Sequence, residues 1–187
     1  MGLARSRNIA LQNSSFNFLA SIDSDVVCKK NWLEILFQTM CQKNLHLVGG
    51  KLEEVNLYDP INKWRAEYLK QNWGDQSLIN PDFVAGSNTL LNKEKISSLG
   101  ICYDERFKTN GEDVNFSRVL KKNNLKLYYE CNAICYHYQN DNLKSLSKRY
   151  WRYNYFGAGF KKFTFTRLIR HIIRQIKKFF IWSFYDL

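Results

Sequence analysis

The stretch "FNFLASIDSDVVCKKNWL", residues 16–33, decides how this chain is read. The apolar run from Phe16 to Ile22 is short and reads as a buried strand. It ends at Asp23, and Asp25 follows after a single serine. Two carboxylates at i and i+2 in a loop repel each other unless something positive lies between them. Mg²⁺ or Mn²⁺ would suit, since these ions take a few oxygen ligands from protein and the rest from water and phosphates. Solvated loop acids explain most D-x-D triplets, so the rest of the chain must show whether anything converges on this one.

Outward from that stretch, residues 3–13 read as a short helix. "NWLEILFQTMCQK" has apolar residues at 32, 33, 36, 37 and 40, helical spacing with Asn31 placed to cap it. "HLVGGKLEEV" reads as a strand and "INKWRAEYLKQNW" as an amphipathic helix. "DFVAGSNTLLNKEKI" reads as a strand, a turn and a short helix, its small residues marking a place where a ligand could approach the backbone. "GEDVNFSRVLKKNN" returns to helical spacing, and "LKLYYECNAICYHY" reads as one or two strands. Strands alternating with helices predict an α/β layer structure with a mostly parallel sheet.

The composition is that of a folded domain: 187 residues, 45% apolar and 16% aromatic, which excludes a disordered polypeptide. No apolar run approaches the roughly 18 residues that span a bilayer. Five scattered cysteines fit free thiols in a reducing cytoplasm; Cys131 and Cys135 lie close, but no second pair completes a zinc site. The net charge of +11 is unevenly placed. Residues 1–141 carry 17 Lys and Arg against 16 Asp and Glu, while residues 142–187 carry 11 against one. The expected division is a body, 1–141, and a basic tail, 142–187, that touches an anionic surface.

A second acidic feature follows Gly111, whose freedom suits a tight turn. Glu112 and Asp113 open a helix, where a carboxylate is favoured by the helix dipole. Farther on, His137 stands between Tyr136 and Tyr138 at the end of a strand, as a metal ligand or as a hydrogen-bonded structural residue.

Taken in order, "GLARSRNIALQNSSFNFLASIDSDV", "FVAGSNTLLNKE" and "LGICYDERFKTNGEDVNFSRVLKKNNLKLYYECNAICYH" resemble the family 2 glycosyltransferases of the GT-A fold, over about residues 2–138. The resemblance implies a metal held by Asp23, Asp25 and His137, clamping the diphosphate of a nucleotide-sugar donor. It implies Asp113 as the catalytic base, Glu112 as its support, and Arg5, Arg7 and Asn8 as donor contacts. An inverting transfer to a glycan or lipid-linked acceptor would follow, one base taking the acceptor's proton while cations stabilise the leaving nucleoside diphosphate. Family members usually begin with strands that bind the nucleobase. This chain starts at the helix after them, so an N-terminally incomplete domain is expected, and with it the alternative of a non-catalytic remnant that binds membrane surfaces.

The tail from Phe163 places apolar residues at 165, 168, 169, 172, 173, 176, 179 and 180, with Arg167, Arg170, Arg174, Lys177 and Lys178 between them and Trp182 beyond. This pattern predicts an amphipathic helix lying in an anionic membrane interface, on the cytoplasmic face; the other reading packs the helix on the domain. Interleaved aromatics and cations also suit RNA, but no nucleic-acid module is recognisable.

Overall fold

The computed structural model describes residues 2–157 and six further positions of the tail: 166, 169, 170, 173, 174 and 177. The chain forms α1 (Leu3–Asn13), β1 (Phe18–Ile22), β2 (Val26–Cys28), α2 (Trp32–Gln42), β3 (Leu47–Glu54) and α3 (Pro60–Tyr68). There follow β4 (Leu78–Ile79), β5 (Asn88–Asn92), α4 (Lys93–Ser97), α5 (Glu112–Lys122), β6 (Leu127–His137) and α6 (Leu143–Gly157). The strands make one sheet in the order β1-β5-β3-β6-β2, with β4 also paired to β6.

The layering is α/β as expected, but the sheet is mixed rather than mostly parallel. Among the described residues only β3 and β6 pair in parallel; β1 with β5, β5 with β3, β2 with β6 and β4 with β6 are antiparallel. The periodicity of short apolar runs carries no directional information, so it could not reveal that β5 enters between β1 and β3. Strand β1 is also an edge strand and only half-buried, with Ile22 52% exposed. The small-residue segment "FVAGS" is loop, and the strand begins at Asn88.

Alternation along β3, β5 and β6 divides the core. Leu47, Leu91 and Leu127 pack under α1, α4 and α5 with Ala4, Leu11, Ile96, Phe116 and Leu120. Their neighbours Val48, Leu90 and Tyr128 face α2 with Trp32, Leu36 and Met40. The exposed Leu33 and Phe37 explain why apolar spacing alone overstated the buried face of α2. Asn31 precedes that helix without a side-chain cap bond, whereas Asp59 caps α3 by accepting from the Ile61 and Asn62 amides. All five cysteines are free. Cys135 sits not by Cys131 but directly across the β2–β6 pair from Cys28, with Sγ atoms 2.7 Å apart.

Candidate functional site

Because β5 runs against both β1 and β3, while β6 is parallel to β3, strands β1, β3 and β6 all point the same way. Their last residues, Ile22, Glu54 and His137, therefore reach the same end of the sheet, the end where α/β folds place ligands. Asp23 and Asp25 lie on the turn that leaves β1. That turn is closed by the Val26 amide donating to the Asp23 carbonyl and tied to β6 by the Tyr138 amide donating to the Asp25 carbonyl, 2.8 Å.

On one side of the turn stands His137, 4% exposed, with Nε2 3.4 Å from Asp25 Oδ2. Its Nδ1 is 2.9 Å from Glu54 Oε1, and the other Glu54 oxygen accepts from Arg65 Nη1 at 2.6 Å. Among the described residues no three His, Cys, Asp or Glu side chains close into a metal cage. The Asp25–His137 pair still offers one oxygen and one nitrogen, and Asp25 is 40% exposed. Such an open pair fits a hard cation that keeps its other positions for water and phosphate.

On the other side lies Arg7, delivered by α1. Its guanidinium is 3.9 Å from Asp23 and 3.5 Å from Glu112, and rests over the Tyr103 ring at 5.6 Å. It also presses against the backbone at Gly86, where a Cβ would come within 1.7 Å of Nη1. The close approach that "FVAGS" permits is thus used by an arginine of the same chain. Gly111 adopts φ +86° and starts α5. Asp113 then accepts from the Gly86 amide at 3.0 Å and from the Val114 amide at 2.8 Å.

Glu112 is buried, and one of its oxygens has no hydrogen-bond partner. Burial first, then the Asp113 charge, pushes its carboxyl up to about 7. Arg7 pulls the other way but does not win, because at 3.5 Å it makes no hydrogen bond to Glu112 and is shared with Asp23. Burial likewise raises Asp23, again against Arg7, with Asp25 and Asp113 adding to the rise. Three carboxylates, Asp23, Glu112 and Asp113, around one arginine leave this corner short of positive charge, which suits a divalent cation. A cavity of about 300 Å³ opens here, lined by Arg7, Asp23, Phe83, Glu112, Asp113 and Tyr153 among others.

The structure thus brings Asp23, Asp25, His137, Arg7, Glu112 and Asp113 to one sheet end. Arg5 and Asn8 are not at the cavity. Arg5 is on the exposed side of α1. Asn8 is buried and clamps Tyr103, donating to its carbonyl at 2.9 Å and accepting from its amide at 2.8 Å. Both polar ends of that side chain are consumed in fixing the floor beneath Arg7. Sequence reasoning passed over Glu54 and Arg65; an acid ending a strand, as in "KLEEV", was the available signal. Of the tail residues, Arg170, Arg174 and Lys177 are helical and exposed, while Arg167, Lys178 and Trp182 lie outside the described residues. No helix among the described residues is long and apolar enough to cross a membrane.

Residues 1–100 match the family model described as Glycosyl transferase family 2. Two curated relatives, each named pre-mycofactocin glycosyltransferase and from strains of Mycobacterium tuberculosis, are 27% identical over 142 residues. The match covers 73% of this chain and about 30% of the relatives' length. Among solved structures, GalNAc-T7 with UDP, GalNAc and Mn²⁺ superposes with a TM-score of 0.55 at 15% identity, over 74% of this chain and 31% of that one. At that identity the likeness is one of fold.

Proposed function

The chain belongs to glycosyl transferase family 2, and from that premise we propose that it transfers a sugar, with inversion, from a nucleotide-sugar donor to a glycan or lipid-linked acceptor. The observation that supports this best is the convergence of Asp23, the Asp25–His137 pair and the Asp113–Glu112 pair on one sheet end, where Asp23, Glu112 and Asp113 line one cavity. Asp23, Asp25 and His137 would hold Mg²⁺ or Mn²⁺, which supplies neutralising charge for a departing nucleoside diphosphate. Asp113, less buried than Glu112 and fixed by two backbone amides, takes the proton of the acceptor hydroxyl as that oxygen bonds to the anomeric carbon. The bond from the anomeric carbon to the phosphate oxygen breaks in the same displacement. Arg7, held among carboxylates over Gly86, faces the charge that develops there.

The donor site is tested by thermal unfolding with a panel of nucleoside diphosphates and nucleotide sugars, with and without Mn²⁺. At a hundredfold excess over its Kd a bound ligand stabilises by about 2.7 kcal/mol. The expected stabilisation requires Mn²⁺ and disappears in Asp25→Asn. A folded protein that responds to no member of the panel would instead support a non-catalytic role.

The tail would hold the protein on the cytoplasmic face of a membrane. In support, Arg170, Arg174 and Lys177 are exposed, and on α6 the stacked rings of Trp151 and Tyr155 are 61% and 45% exposed. Each cation near an anionic bilayer contributes about 1 kcal/mol, so changing all three to Gln should weaken binding to phosphatidylserine vesicles roughly a hundredfold. Equal co-sedimentation of the variant and wild type would remove the membrane from this reading.

A further inference from the structure

We propose that Glu54 and Arg65 are positioning residues that hold the His137 ring in the one tautomer able to ligate a metal beside Asp25. The inference rests on the metal reading above and adds to it two residues that act through His137.

Glu54 and His137 are side by side as the last register pair of the parallel β3–β6 ladder. His137 Nδ1 lies 2.9 Å from Glu54 Oε1. An ionised carboxylate only accepts, so the proton between these atoms must be on Nδ1. Arg65 Nη1, which only donates, also lies 3.5 Å from Nδ1 and competes for it as an acceptor, but the Glu54 contact is 0.6 Å shorter and Nη1 is already engaged by Glu54 Oε2 at 2.6 Å. A neutral ring with Nδ1–H turns a bare lone pair at Nε2 toward Asp25 Oδ2, 3.4 Å away. No hydrogen bond joins those two atoms. Two acceptors facing each other at that distance are relieved by a cation between or beside them.

Glu54 can perform this task only while its carboxylate is held in place. Arg65, 2% exposed, holds it by donating to Glu54 Oε2 at 2.6 Å. Arg65 is itself held from three sides. Its Nη2 donates to the Gln139 carbonyl at 3.1 Å, its Nε is 3.5 Å from Asp141 Oδ2, and α3 carries its backbone. Asp141 also receives Arg149 Nε at 3.1 Å and the Ser145 hydroxyl at 2.6 Å, both from α6. A buried polar chain therefore runs from the metal-side histidine to the helix that leads into the tail. Partners of a ligating histidine of this kind typically account for 10- to 100-fold in metal affinity.

The test uses the full chain. ¹⁵N NMR of the metal-free protein should show His137 with a protonated Nδ1 and an unprotonated Nε2. In Glu54→Gln the side-chain amide can donate to the ring, and the pattern should invert to Nε2–H. Mn²⁺ binding, titrated with MnCl₂ alone, should then weaken roughly 10- to 100-fold. Where Glu54→Gln strands the Arg65 charge and fails to fold, Glu54→Gln with Arg65→Gln removes both charges and gives the same readouts. A wild-type ring protonated at Nε2, an unchanged ring pattern in the variants, or unchanged Mn²⁺ affinity overturns the positioning role. An inverted pattern in a protein whose wild type binds no Mn²⁺ overturns instead the metal reading on which it rests.

Discussion

Asp113→Asn is expected to slow sugar transfer by roughly 10²–10⁴-fold, the usual contribution of a positioned general base. The carboxylate is held by the Gly86 and Val114 amides, one on each oxygen. An asparagine keeps one acceptor and turns a donor toward the other amide, so a modest stability loss of about 1 kcal/mol accompanies the change. The two effects separate cleanly: turnover, followed as release of nucleoside diphosphate from the donor that the thermal panel identifies, should collapse while the melting curve moves only slightly. Turnover within a few-fold of wild type would remove Asp113 from the base role and direct attention to Glu112, whose carboxyl titrates near neutrality.

The second large effect is structural. Gly50 lies in the middle of β3 at the register shift between β3 and β6. A Cβ there would stand 2.1 Å from the Ala133 carbonyl oxygen and 2.6 Å from Asn88 Oδ1. The first contact is with backbone and cannot be relieved by a rotamer change. The second displaces Asn88, which is 1% exposed, accepts from Trp32 Nε1 and donates to the Lys51 carbonyl. Overpacking typically costs about 1–3 kcal/mol, and disrupting a buried hydrogen-bonded amide adds a similar amount. Gly50→Ala should therefore lose roughly 3–5 kcal/mol in denaturant unfolding, a large part of a small domain's total. Gly74→Ala is the control: its φ of +91° costs about 1–2 kcal/mol, but nothing lies within 4 Å of the new methyl. Equal losses in both variants would show that β3 and β6 can separate locally at little cost.

What could be read from the residues divides along physical lines. Helices α2 and α5 were legible because they repeat their apolar residues at helical spacing, so their limits fell within a residue or two, whereas α3, read on to residue 73, ends at Tyr68. Strand direction was not, since an apolar run such as "FNFLASI" reads alike in either orientation and on an edge or in the centre. The acids of the site stood out because Asp23, Asp25, Glu112 and Asp113 sit where chains turn or helices begin. Asn8 misled because its neighbours Arg5 and Arg7 are basic, and sequence does not show that α1 turns Asn8 toward the Tyr103 backbone. The acid ending "KLEEV" marks Glu54, but its link to Arg65 and His137 is not legible in sequence, because it comes from a parallel register and an α3 contact that join residues 11 and 83 positions apart.

Strand β6 contributes Leu127 to one core and Tyr128, Ala133 and Cys135 to the other. It also has partners on both flanks, β3 on one and β2 and β4 on the other. Amides in such a strand exchange with solvent only when the molecule as a whole opens, whereas a turn leaving an edge strand can open alone. The two halves of the site therefore differ in kinetic character. His137 ends a strand paired on both flanks, whereas Asp23 leaves the edge strand β1 on a turn tied to β6 through the Asp25 carbonyl, so ligand binding is expected to slow amide exchange more in that turn than in β6.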